Sequence, residues 1–220
     1  RLGSVSALAA LELGEPGFLS AAATDVPNFF YALRMPAGFE SLVCLEGVDV
    51  AYVRRLLGPL AEGWPEDADA LGCTCLPMGF SWAPYLAQRV LEHVVREAGL
   101  ADETQLVHGR GRVAMRRWAT MCYLDDFTVV VQRATRNAAR ADAAGLLSRV
   151  KAELARVGLG SHKDQLGDVV EVLGVVLDAS GEEVELRPQP QKLALLLAAT
   201  KEALRRRSVS GQAVQRIVGH

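Results

Sequence analysis

The 220-residue chain has few of the residues that staple or metallate small proteins. Its four cysteines stand at 44, 73, 75 and 122, and its four histidines are scattered at 93, 108, 162 and 220. A disulfide scaffold is unnecessary at this size, because a chain half of whose residues are hydrophobic can bury a sizeable core without covalent help. A zinc knuckle is disfavoured by spacing: Cys73-Thr-Cys75 leaves one residue between the thiols, where such sites use two to four. With no secretory signal ahead of them, the cysteines fit a reducing, intracellular setting. No apolar run approaches the ~18 residues of a membrane span, so no membrane partner is expected. Charge of one sign is lacking too. The formal net charge of −2 provides no global field, and any contact with a polyanion must come from local patches. Repeats and low-complexity tracts are absent.

What is present is an alternation of short strands and helices. "FLSAAATDV" (18–26) reads as a buried strand that delivers Asp25 at its end, with Pro27 stopping it. Residues 51–72 begin like a helix and dissolve into the Gly, Pro and acid of a surface connection. From Ala83 to Ala98, Leu86, Val90, Leu91, Val94 and Val95 recur at helical spacing, and Gly99 supplies a stop. "VAMRRWATMCY" (113–123) and "FTVVVQ" (127–132) make a hairpin with "LDD" in its connection. Thr135 is a good N-cap for a helix reaching about Val157, with Leu146, Leu147, Val150, Leu154 and Val157 on the face expected to lie across the sheet. "VVEVLGVVLD", a turn at "ASGEE" and "VELRP" form a second hairpin, followed by an amphipathic helix, "QKLALLLAATKEALRRR". Without a regular βαβ period, this order implies an α+β fold, an antiparallel sheet packed on helices.

The stretch "MCYLDDFTVVV" (121–131) raises a chemical question. Asp125 and Asp126 repel each other, and a hairpin needing only polar turn residues could use Asn-Gly or Asp-Gly. The pair invites a cation, and antiparallel strands can bring Asp25 to the same corner. Three carboxylates suit a hard divalent ion such as Mg²⁺ or Mn²⁺, and two such ions ~4 Å apart serve in-line phosphoryl transfer. Taken alone, the pair reads more readily as a solvated turn than as a metal site. Arg110, Arg112, Arg116 and Arg117 lead into the hairpin, and Arg205 to Arg207 close the last helix. Both clusters suit phosphate contact or a plain charged face.

Five stretches, "TDVPNFFYALRMP", "CLPMGFSWAP", "CYLDDFTVVV", "SHKDQ" and "VLGVVLD", together resemble in order and character the palm motifs of retroelement reverse transcriptases. "LPMGFSWAPYLAQ" is most similar to those of DIRS-like or related retrotransposons, and the resemblance spans roughly residues 18 to 218. It implies a right-hand polymerase palm over 1–180, with the palm–thumb connection and first thumb helix over 181–220. The implied activity is RNA-directed DNA polymerisation from dNTPs on a primed RNA or DNA template. By the same resemblance Asp25, Asp125 and Asp126 are catalytic acids and ligands of Mg²⁺ or Mn²⁺, with the Val26 carbonyl beside them. Phe30 lies under the sugar and excludes a 2′-hydroxyl. Met78 and Gly79 approach the incoming nucleotide, and Lys163 the leaving pyrophosphate. Tyr123, Leu173 and Gly174 contact nucleic acid, the last two as a primer-grip hairpin.

The chain departs from the pattern at Met78, where many relatives carry Gln, and in having only 24 residues ahead of Asp25, where a fingers subdomain would lie. It is therefore expected to be a piece of a larger polyprotein whose remaining domains are its partners, and to polymerise poorly alone. Two alternatives stay open: a catalytically inactive retroelement-derived fragment or nucleic-acid-binding module, and an RNA-dependent RNA polymerase. The latter is disfavoured because Phe30 offers bulk where a ribose-selecting site needs polar groups.

Overall fold

The computed structural model describes residues 2–218 apart from 15, 40, 41, 46, 69, 101–104, 116 and 207. In chain order it comprises α1 (Val5–Ala9), β1 (Leu11–Glu12), β2 (Phe18–Asp25), α2 (Phe29–Ala32), β3 (Cys44–Leu45), α3 (Val50–Leu57), β4 (Leu71–Gly72), α4 (Ala83–Glu97), β5 (Val113–Ala114), β6 (Trp118–Tyr123), β7 (Asp126–Arg133), α5 (Arg136–Arg156), β8 (His162–Gly167), β9 (Val169–Val172), β10 (Val175–Asp178), β11 (Glu185–Pro188), α6 (Pro190–Arg205) and α7 (Gly211–Val218).

The central sheet has the order β6-β7-β2-β8 and is antiparallel throughout. Its strands and the helices α4 and α5 follow one another as strand–helix–strand–strand–helix–strand, the ferredoxin-like plan, with the 29–72 region inserted between β2 and α4. The α+β expectation with an antiparallel sheet is met.

β2 shows why this sheet can be buried on both faces. Its "SAAAT" core carries no large side chain, and Ala22 and Ala21 are 0% and 1% exposed on opposite sides. Ala22, Phe127, Val129 and Val131 pack against α4 and α5 together with Leu91, Val150 and Leu154. Ala21, Ala23, Val130 and Met121 face α1 and the antiparallel sheet β11-β10-β9. Strands buried on both faces lose polar alternation, which explains the run Val129-Val130-Val131. Helix α5 starts where expected: the Thr135 hydroxyl accepts from Ala138 N at 3.2 Å. Val157 falls outside that helix's buried face.

Two sequence expectations are corrected. "VVEVLGVVLD" is two strands, β9 and β10, folded back at Leu173-Gly174, so β9, β10 and β11 form a three-stranded meander. Lys163, in a stretch to which the sequence assigned no element, stands on the strand β8. The reading of 113–123 as one strand gives way to β5 and β6, because β5 leaves the hairpin to pair in parallel with β1. None of the four cysteines, all of them among the described residues, is joined in a disulfide. Among the described residues, no helix is long and apolar enough to cross a membrane. Arg116 and Arg207 lie outside the described residues, whereas Arg112 pairs with Glu12 at 3.2 Å and Arg206 with Glu202 at 3.0 Å.

Candidate active site

The site is assembled by strand register. β2 ends at Asp25 directly opposite Asp126, the first residue of β7, and Asp126 is in turn opposite Tyr123. On its other side Asp25 pairs with His162 of β8. Residues so opposed hold their Cβ atoms about 4.5–5.5 Å apart, and like charges placed there repel. The loop between β6 and β7 is only Leu124-Asp125, and the Asp125 carbonyl accepts from Val26 N at 3.0 Å. Three acids from two distant segments thus occupy one sheet edge.

The electrostatics record the crowding. Burial, then the charges of Asp125 and Asp25, push Asp126 up to about 6. Burial is also the main cause that raises Asp125, with Asp25 adding to it. Lys163 offsets part of this: its ammonium donates to Asp25 Oδ2 at 2.9 Å. His162 Nδ1 lies 3.2 Å from the Asp25 carbonyl and 3.6 Å from its carboxylate. Below them Asp164 accepts from Thr24 at 2.6 Å and from Lys151. Burial would raise Asp164, but those two hydrogen bonds and the Lys151 charge outweigh it and lower the carboxyl.

A polar pocket of 230 Å³ opens beside the acids, lined among others by Asp25, Asp126, Lys163, Glu171, Leu173 and Gly174. The Leu173-Gly174 turn, with φ 48° and 81°, is the left-handed pair that a two-residue hairpin loop needs. It is brought over the pocket by Gln165, whose side-chain amide donates to Glu171 O at 3.2 Å and accepts from Glu171 N at 2.9 Å. Among the described residues four non-glycines have positive φ: Asn28, Leu124, Lys163 and Leu173. Leu124 precedes the acid pair, Lys163 grips Asp25 and Leu173 lines the pocket, while Asn28 stands at the head of α2, three residues after Asp25. Left-handed backbone costs a non-glycine roughly 1–2 kcal/mol, and such strain collects where surrounding structure holds a functional geometry.

Of the residues singled out in the sequence, Asp25, Asp126, Lys163, Leu173 and Gly174 meet at the pocket, with Asp125 adjoining. Val26 is buried beneath and serves through its N–H. Tyr123 flanks Asp126 in register. Phe30, Met78 and Gly79 do not line the pocket. Phe30 is half-buried against the core, and Met78 is 65% exposed. A Cβ at Gly79 would meet nothing within 4 Å, so no contact inside the chain demands glycine there.

The residues overlooked in the sequence are Gln88, Glu92 and Gln165. Gln88 donates to Cys122 O at 3.1 Å and accepts from Leu124 N at 2.9 Å, holding the acid hairpin from α4. The signal for it was periodic: Gln88 and Glu92 fall on the same stripe as Ala87, Leu91 and Val95, and Leu86 does not.

Among the described residues, no three His, Cys, Asp or Glu side chains form a ready-made metal site. The donor set is nevertheless suited to a hard cation. It consists of carboxylates whose mutual repulsion favours a positive ligand, and Asp25 already holds an ammonium. No protein-family model and no curated protein matches this chain.

Proposed function

We propose that the chain is the palm of an RNA-directed DNA polymerase, adding nucleotides to a primer 3′-hydroxyl. The observation that carries this reading is convergence: Asp25, the Asp125-Asp126 pair, Lys163 and the Leu173-Gly174 turn, widely separated in sequence, surround one pocket edge. Those are the segments in which the sequence resembles reverse transcriptases, and the strand–helix–strand–strand–helix–strand sheet is compatible with a polymerase palm.

Asp25, Asp125 and Asp126 would hold Mg²⁺ or Mn²⁺, which in nucleotidyl transfer makes the attacking hydroxyl more acidic and neutralises charge on the phosphoryl and leaving oxygens. The chain's own residues do the positioning. Lys163 offers an exposed ammonium beside Asp25 for the departing pyrophosphate. The Leu173-Gly174 turn would present backbone to the primer strand, whereas Met78 and Gly79, which do not line the pocket, would have to meet the nucleotide from outside it. Phe30 would have to reach the sugar from its half-buried place near α2.

A second reading, a catalytically inactive nucleic-acid-binding module, is favoured by the Lys163 ion pair, which already neutralises Asp25 without metal. The discriminating experiment is primer extension with Mg²⁺ or Mn²⁺ on RNA and DNA templates, with the chain carried in a longer polypeptide that supplies a fingers subdomain, comparing the native sequence with Asp25→Asn and Asp125→Asn. The polymerase reading expects extension that either substitution reduces by at least about a hundredfold. Extension by the variants at the native rate would sink it, and template binding without any extension supports the inactive module.

A further inference from the structure

Gln88 and Glu92 are polar side chains on the buried stripe of α4, 3% and 6% exposed. Buried polar groups are costly unless fully paired, and these two are paired in a chain that ends on the acid hairpin. Arg89 Nη1 lies 2.7 Å from Glu92 Oε2. Glu92 Oε1 accepts from Gln88 Nε2 at 2.9 Å, and the same Nε2 donates to Cys122 O at 3.1 Å. Gln88 Oε1 accepts from Leu124 N at 2.9 Å.

The order of these bonds matters. An ion-paired carboxylate presents only acceptors, so Glu92 fixes which end of the Gln88 amide faces it. The amide oxygen is thereby left for Leu124 N. Leu124 is the left-handed first residue of the two-residue loop, with φ 54°, and Asp125 and Asp126 follow it directly. A main-chain N–H held here sets the height of the loop against α4, while Val26 N holds the other side through the Asp125 carbonyl at 3.0 Å.

We infer that Gln88 is a positioning residue for the Asp125-Asp126 pair, with Glu92 and Arg89 locking its amide in the one orientation that can hold Leu124. It acts through the backbone and touches no reacting group. The inference deepens the metal-site reading of the acids and rests on that reading for its functional consequence.

The test uses the whole 220-residue chain with Gln88→Met, which keeps the side-chain length and removes the hydrogen bonds to Glu92, Cys122 and Leu124, and Glu92→Gln, which keeps an acceptor but frees the amide to turn over. Two readouts are taken under conditions where melting curves show each variant folded. Hydrogen exchange at the Leu124 amide is expected to quicken about tenfold in Gln88→Met relative to the amides of β6 and β7, as loss of one buried hydrogen bond predicts. Mn²⁺ affinity, read from water-proton relaxation with Asp125→Asn as the site control, is expected to fall about tenfold or more, the usual cost of removing an outer partner of a metal site. Glu92→Gln should move both in the same direction by less, and decides the matter if Gln88→Met does not fold. Unchanged Leu124 exchange, or changes that follow only the global loss of stability, would overturn the inference. If the native chain binds no Mn²⁺ through Asp125, the metal reading fails by itself, and the exchange result alone decides whether Gln88 holds the hairpin.

Discussion

The Lys163 ammonium lies 2.9 Å from Asp25 Oδ2, reaching from β8 to the acid that β2 delivers. The hydrogen bond to Asp25 and its charge, followed by the charges of Asp126 and Asp125, raise the lysine above its ordinary value. Lys163 is therefore the resident counterion of the acid cluster, and a divalent ion must compete with it. Replacing Lys163 with Met keeps the side-chain stem and removes the competitor. Mn²⁺ titration of Lys163→Met should show severalfold tighter binding than the native chain, together with weaker retention of pyrophosphate. Equal or weaker Mn²⁺ affinity would show that the ammonium does not compete for Asp25.

Asp126 makes the metal-free chain sensitive to pH. Its folded-state carboxyl sits at about 6 against an ordinary 3.8, burial being the main cause and Asp125 and Asp25 the next. A raised carboxyl pKa means that folding favours the neutral form. The stability it contributes is complete below about pH 4 and is lost as pH rises through about 6, because the folded state binds the extra proton in that window. The site opens to solvent, so screening reduces the loss to about 1–2 kcal/mol at pH 7. Asp126→Asn should raise the Tm in EDTA at pH 7 and leave it nearly unchanged at pH 4. An equal Tm difference at both pH values would contradict this account.

Leu124 stores strain at the same corner, since its φ of 54° suits glycine better than leucine. Leu124→Gly should relieve roughly 1 kcal/mol, partly offset by the greater freedom of glycine in the unfolded chain. The expected outcome in chemical denaturation is unchanged or slightly higher stability, accompanied by weaker Mn²⁺ binding as the loop gains freedom. A clear loss of stability would show that the leucine sits there without strain.

The contrast between legible and illegible parts of this fold has physical causes. β2, α5 and the acid hairpin could be read because each carries a strong local pattern: a buried run of small residues, a Thr135 cap before periodic leucines and valines, and a charged pair between apolar strands. β8 could not. "HKDQLG" has no apolar alternation and is held by backbone pairing to β2 across an irregular register between Ala23 and Asp25. The β9–β10 turn was hidden because valine runs on both sides of Leu173-Gly174 read as one strand. Gln88 escaped because polar residues on an apolar helix stripe are read as its edge, and only the three-dimensional neighbours Cys122 and Leu124 give it a purpose. The meeting of Asp25 with Asp126 was expected from strand ends, and register supplies it.

The adjacent phenylalanines of α2 give a test that separates packing from substrate selection. Asn28 precedes the helix in a left-handed conformation, φ 52°, and its side chain makes no capping bond. That entry angle sends Phe29 into the core at 2% exposure and leaves Phe30 half-buried, packed against the helix-side core and the small cluster of Met35, Leu76 and Ala83. Phe29→Val should therefore cost more stability than Phe30→Val, about 2–3 against about 1–2 kcal/mol, because less apolar surface is removed from contact at position 30. If Phe30 also bounds the sugar site, its substitution should raise ribonucleotide incorporation relative to deoxynucleotide incorporation in primer extension, while Phe29→Val leaves that ratio alone. The comparison holds folding and chemistry apart, since both variants lose packing and only one is expected to change selection. A ratio that stays at the native value in Phe30→Val would assign Phe30 to the core alone and leave sugar discrimination to other residues.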